Sequence, residues 1–257
     1  MMFDYLTMVS GSDVPVPELQ LVLHQPTIEE IGVIGEQKFY QALSIFNTSK
    51  EKIMKSYDEK IIDEVERTLV KSRLSGKTNF DIIIEMVQSN PSYKFDIEMI
   101  LLLVLPQFTF AIEERFILAN SATREQPLLI HSENFDFLKD ALMEIFCISG
   151  AGATEDNDYN PGNKAAEAIA EKLRQGREKA KKLNGGNTDN ISILGTYASR
   201  LAIGSNSLNI LDTRKLTVFQ LIDQMKVFGL WTQHNYSLQA ALAGAKDVET
   251  VDWLKNF

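Results

Sequence analysis

One cysteine, Cys147, stands in a chain of 257 residues. A lone cysteine excludes an intrachain disulfide framework and fits a reducing compartment. It sits in the apolar run IFCIS, where a buried, inert thiol is the expectation. Histidine is scarce as well. His24, His131 and His234 lie far apart, none with a ligand-like neighbour at helical spacing. Surface or satisfied core positions account for them better than metal binding or general-base work. Long hydrophobic runs are missing too. The longest, MILLLVL at Met99–Leu105, falls well short of the roughly 18–20 residues needed to cross a bilayer. The opening MMFDYLTMVSGSD has neither the basic region nor the apolar core of a signal peptide. These absences point to a cytosolic protein that is not inserted in membranes.

Catalytic signatures are equally sparse. No G-x-S-x-G elbow occurs, so a serine hydrolase of that kind has no support. SGKT at Ser75–Thr78 looks like the end of a phosphate-binding loop. That loop needs a glycine five positions before its Gly-Lys pair, so that backbone can curl around phosphate; Lys71 stands there instead. A helix C-terminus closed by Gly76 fits better. GAGATE at Gly150–Glu155 puts Glu where a dinucleotide fingerprint wants its third glycine, and no parallel-sheet alternation surrounds it. The expectation is a protein without enzymatic activity, cofactor or metal.

What is present is acid, apolar patterning and one basic island. Apolar residues make up 44% and charged residues 24%, an ordinary soluble balance. The length suffices for one large domain or two smaller ones. Net charge is −9, which disfavours nucleic acid as a partner. Residues 164–182 hold seven Lys/Arg and three Glu, a local +4 that leaves −13 on the rest.

Three segments follow: a first block over 1–149, a loop and basic bridging helix over 150–189, and a second block over 190–257. The fold class expected is mainly α (α+β), with helical bundle-like blocks and a small antiparallel meander in the first. ELQLVLH (Glu18–His24) reads as a short strand after Pro15 and Pro17. Thr27 and Glu30 form a capping box opening a helix whose inner face is Ile28, Ile31, Phe39, Leu43 and Phe46. A second helix near Asp58–Leu74 turns Ile61, Ile62, Val65 and Leu69 inward, with Asp63 and Arg67 spaced to pair outside. Asn79 caps a third. FDIEMILLLVL reads as a helix buried on most sides and ended by Pro106. FTFAIEE, FILAN and PLLIH make the meander, and Ser132 caps the next helix. In the second block Ile191, Leu194, Ala198 and Leu201 line a helix that Gly204 can terminate. Thr217 and Gln220 box another, with Val218, Leu221, Ile222, Met225 and Phe228 inward. DVETVDWLKNF ends the chain as a short helix presenting Val251, Trp253 and Leu254.

Two features of the bridge carry chemistry. Asp156, Asp158, Asn160 and Glu167 have the oxygen-ligand spacing of an EF-hand loop. Pro161 occupies the position that needs glycine for the sharp turn, and Lys164 brings positive charge to the ion. An Asp/Asn turn before a helix N-terminus explains the same residues. In the helix itself, Lys172, Arg174, Arg177, Lys179, Lys181 and Lys182 crowd the second half beside a narrow stripe of Ile169, Leu173, Ala180 and Leu183. A solvated face is the simpler account. The functional one is docking of an acidic protein, with arginine forking onto carboxylates. Aromatic interleaving, which single-stranded nucleic acid would require, is missing there.

ISILGTYASRLAIG, LTVFQLIDQMKVFGL and ALAGAKDVETVDWLKNF, in the second block, resemble segments of a group of tailed-bacteriophage and prophage tail morphogenesis proteins. DNDYNPGNKAAEAIAEKLRQGREK in the bridge and QPTIEEIGVIGEQKFYQAL in the first block are similar to segments of the same group. The resemblance implies a tail assembly chaperone. Such a protein binds the long tape-measure protein, keeps it soluble and yields to tail-tube subunits, working in the host cytoplasm without catalytic residues. Its partners would be tape-measure or other tail proteins, with self-association in addition. Such chaperones are often smaller, so a structural component of the tail or baseplate, carried in the virion, competes with this reading. A calcium-responsive binding module using the Asp156–Glu167 loop is the alternative of another class.

Overall fold

The computed structural model describes residues 3–60, 64–122, 124–148, 192–205 and 208–244. Ile61, Ile62, the Asp63–Arg67 pair, Ile191, the whole bridge and the final DVETVDWLKNF lie outside the residues or side chains so described.

The chain begins with a short helix, α1 (Tyr5–Ser10), capped by the Asp4 carboxylate on the Thr7 amide. Gly11 ends it at φ 70°, a left-handed geometry that glycine adopts freely. A hairpin follows: β1 (Val14–Val16) and β2 (Leu21–Leu23) pair antiparallel around a 3₁₀ turn over Pro17–Leu19. Only the second of these strands was expected. Pro15 hides the first, yet proline is tolerated on an edge strand, where its missing amide costs no ladder bond.

The Thr27–Glu30 capping box forms as expected and opens α2 (Ile28–Ile34). The single helix read across this region is two. Gly35, at φ 94°, breaks the path before α3 (Glu36–Phe46). The break does not disturb the inner face, because Ile31, Phe39, Leu43 and Phe46 are all buried. The next region is also two helices, α4 (Lys50–Lys60) and α5 (Glu64–Ser75), packed on each other. Val65 and Leu69, expected inward, are 68% and 65% exposed. Helical periodicity grouped these two residues, but α5 packs chiefly on α4 and leaves Val65 and Leu69 in solvent.

α6 (Asn79–Ser89) starts one residue earlier than read. Thr78 is the cap and closes a box with Asp81, while the Asn79 side chain accepts from the Lys50 amide and donates to Asp136. α7 (Ser92–Val104) stops just before Pro106. The expected meander is present as β3 (Phe108–Ile112), β4 (Ile117–Ser121) and β5 (Leu128–Ile130), in sequential antiparallel order. α8 (Phe135–Ile145) follows, and Ser132 does not cap it. Asn134 occupies that position and its side chain instead bonds the His131 amide and the Leu129 carbonyl.

The described part of the second block holds α9 (Ile193–Gly204), a single turn α10 (Ile210–Thr213) and the long α11 (Val218–Leu242). The Thr217–Gln220 box opens α11 as expected. Gly204 is the last residue of α9, and packing rather than termination explains it. A Cβ there would strike the Phe228 ring, with Cε1 and Cε2 both 2.9 Å away.

The result is mainly α, with two small antiparallel sheets. α3 lies against α7 and α8. Aromatic contacts stitch the centre: Phe39 meets Phe146 edge-on at 5.0 Å, and Phe135 touches both Phe46 and Phe80. Leu194, Ala198 and Leu201 of α9 and Val218, Phe219 and Leu221 of α11 join this same core. Polar ties reinforce the junction. The Glu36 carboxylate accepts from the Ser192 hydroxyl and, at 2.9 Å, from the Leu194 amide, so a side chain of α3 caps α9. The Ile28 and Glu29 amides donate to the Leu216 and Arg214 carbonyls, completing an antiparallel bridge between Thr27 and Thr217. Tyr5 donates to Asp223 at 2.9 Å, anchoring α1 on α11. Among the described residues no helix is long and apolar enough to cross a membrane.

Candidate functional site

α7 is covered on most sides, as expected, but one side stays open. Ile97, Ile100, Leu101 and Val104 face the core, while Phe95 is 71% exposed and Leu102 lies one heptad further along the same outer face. The end of α2 contributes Ile34 beside them. Together with Glu98, Met99 and Leu103 these residues line an open groove of about 440 Å³. Its walls are apolar, and Glu98 is the one ionisable group among its lining residues. Such a groove offers dispersion contact and apolar burial, at about 25 cal/mol per Å², but no nucleophile and no paired acid and base. It fits a hydrophobic side chain or helix face better than a polar metabolite. The MILLLVL run concealed it. Leu101, Leu102 and Leu103 look alike in sequence, and only the neighbouring helices decide which of them is covered.

A second cleft, of about 500 Å³, lies between the hairpin and the start of β3. Asp13, Gln20, His24, Gln107 and Arg124 supply its polar groups. His24 is held on both sides. Nδ1 is 3.2 Å from Asp13 Oδ1 and Nε2 is 3.2 Å from Glu30 Oε1. Its own amide donates to the Val104 carbonyl at 2.8 Å. With both ring nitrogens engaged, His24 serves as a clasp joining the hairpin, α2 and the end of α7. Burial pushes the Glu30 carboxyl up, but hydrogen bonds from the Thr27 amide and hydroxyl, and then His24, outweigh it and hold the carboxyl below its ordinary value. Reading the histidines by helical spacing missed this cluster. The hairpin register contains it, because Val14 pairs with Leu23 and the next pair outward is Asp13 with His24.

Cys147 is half-buried at the end of α8, in a left-handed conformation with φ 54°. Burial, offset in part by Lys226, pushes its thiol up to about 11, so it stays neutral at ordinary pH. That matches an inert thiol. Among the described residues no group of three or more His, Cys, Asp or Glu could hold a metal ion. The docking residues nominated from charge, Lys172, Arg174, Arg177, Lys179, Lys181 and Lys182, lie outside the described residues, as do Asp156, Asp158, Asn160 and Glu167. Exposed apolar side chains lie on the outside of α7 and on the far half of α11. There Trp231, Tyr236, Leu238 and Leu242 are exposed.

No curated protein and no solved structure matches this chain. Residues 187–257, which contain α9, α10 and α11, match the family model of the YomV second domain, a phage- and prophage-derived family.

Proposed function

We propose that this protein is a non-enzymatic tail assembly chaperone of a tailed phage or prophage, acting in the host cytoplasm on the tape-measure protein. The groove on α7 carries the reading. A long helical partner exposes apolar stripes until the tail tube forms around it, and a shallow apolar groove is suited to shielding such a stripe. Phe95 and Leu102, a heptad apart on one face, match the repeat of a helical ligand. The groove is small and open, so the contact is reversible, as release to tube subunits demands. The basic stretch 164–182 supplies a local +4 on an otherwise acidic chain and would steer an acidic partner helix. The phage-derived character of residues 187–257 supports the setting.

Co-expression with a tape-measure protein from the same phage or prophage genome tests the proposal. The expected result is more soluble tape-measure protein and its co-purification with this chain. Phe95→Asp and Leu102→Asp should abolish both, since each puts a charge in the groove. Deleting residues 164–183 should weaken capture most at low salt. Unchanged solubility without co-purification would refute the chaperone role. Abundance of the chain in purified virions would instead assign it to the tail or baseplate structure.

A further inference from the structure

The cleft between the hairpin and β3 holds a charge that the described protein leaves unanswered. Arg124 follows β4 in the loop to β5, where its amide donates to the Ser121 carbonyl at 3.2 Å and closes the turn that presents the side chain. That side chain is half-buried and lines the cleft. Its Nη1 is shut off from solvent, yet meets no acceptor among the described residues. A guanidinium is always charged, and its charge is spread over the planar group. Shielding one nitrogen from water without an acceptor leaves the whole group short of compensation. Asp13 is the one acid among the cleft's lining residues, and its carboxylate bonds His24 at 3.2 Å rather than Arg124. Two amides stand in the same cleft. Gln20 and Gln107 line it, and neither side chain hydrogen-bonds another described residue. Gln20 has a left-handed backbone, φ 51°, which is uncommon away from glycine. Glycine or asparagine would adopt it with less strain, whereas glutamine puts an amide at the cleft.

The chemistry of that set selects the ligand. Val22, Pro106 and Phe108 add an apolar wall, and a volume of about 500 Å³ suits a small ligand or one end of a larger one. The planar fork of arginine matches a carboxylate. A phosphate dianion would meet Asp13 in the same cleft and a chain of net −9 around it. A monoanion on an apolar body meets less of that repulsion and covers the wall as well. We infer that this cleft is a binding site for a carboxylate carried on an apolar group, with Arg124 pairing the carboxylate and Gln20 and Gln107 bonding polar atoms beside it. Such a group occurs both at the end of a peptide and in a free carboxylic acid. The inference does not rest on the chaperone reading, and the cleft shares no lining residue with the α7 groove.

Titration of the full chain with N-acetyl-leucine, followed by amide shifts in NMR spectra, tests it. The expected result is saturable binding. N-acetyl-leucinamide, which has no charge for Arg124, and inorganic phosphate, which adds one, should each bind about tenfold or more weakly. A further arm, 4-methylpentanoate, keeps the carboxylate and the branched chain but has no peptide unit. Equal binding of it assigns the site to free acids, and weaker binding assigns it to peptide ends. Arg124→Gln should abolish the preference for the carboxylate over the amide. Gln107→Glu should weaken carboxylate binding by bringing a like charge to the cleft. Gln107 is exposed, so that variant keeps the fold whatever Arg124→Gln does. No saturable binding of either carboxylate, equal binding of the neutral amide, or binding that survives either substitution overturns the site. Tighter binding of phosphate overturns its assignment to carboxylates.

Discussion

The two halves of α11 share one helix and one cap, yet they have different jobs. The first half opens on the Thr217–Gln220 box, buries Val218, Phe219 and Leu221, and is held by Tyr5 through Asp223. The second half has similar apolar residues and buries none of them fully. Helix propensity and periodicity do not distinguish the halves. What differs is whether α1 and α9 stand beside them. Apolar side chains become core only where another element removes them from water, and elsewhere the same residues become a surface that needs a partner.

The largest expected effect lies at the packed end. Leu221→Ala should lower the unfolding free energy by about 2–5 kcal/mol, through lost transfer energy and the cavity left behind. Leu242→Ala should change it by less than about 0.5 kcal/mol. Urea titration of dilute protein measures both, and equal losses would erase the distinction between the halves. A pair of glycines sharpens it. Gly204→Ala forces a methyl into the Phe228 ring and should cost about 1–3 kcal/mol. Combining it with Phe228→Leu should recover part of that loss, a coupling that a double-mutant cycle reads directly. Gly229→Ala, one residue past Phe228, meets nothing within 4 Å. It should stabilise by roughly 0.4–1 kcal/mol, because alanine restricts the unfolded chain and favours the helix. A loss on Gly229→Ala would mean that the far half is packed after all.

The smallest effect concerns the His24 clasp. The Glu30 carboxyl is held below its ordinary value of 4.5 in the folded chain, so it binds a proton more readily once unfolded. Its stabilisation is therefore complete above that unfolded value and is lost as pH falls through the lower folded one. Thr27→Ala removes the hydroxyl donor and should flatten this acid-side dependence, besides costing about 1 kcal/mol as a lost helix cap. Thermal melts between neutral pH and strong acid, with and without the substitution, measure the difference. An unchanged slope would remove the hydroxyl from the account.

Local chemistry was readable where donor and acceptor lie within one helical turn. The boxes at Thr27–Glu30 and Thr217–Gln220 need only a threonine and a matching residue three positions on, and both form. The same reasoning slipped where two capping residues stand close together. Thr78 beat Asn79 because Asp81 completes its box, and Asn134 took the place of Ser132. The meander was legible because its strands are short, branched and separated by turns. β1 was not, because Pro15 reads as a break. Of the candidate site, the basic stretch was visible as charge and the α7 groove was not visible at all.

The sequence alone determined the mainly helical class, the capped starts of α2 and α11, the three-stranded meander and the basic island at residues 164–182. Each follows from residues near one another in the chain, through hydrogen-bond reach, side-chain periodicity or charge count. Tertiary structure alone decided that Gly204 makes room for a phenyl ring and that Glu36 caps a helix more than 150 residues away. It also decided that one side of α7 and half of α11 remain uncovered. Burial is a property of neighbours, and neighbours distant in sequence leave no periodic trace of which face they will cover.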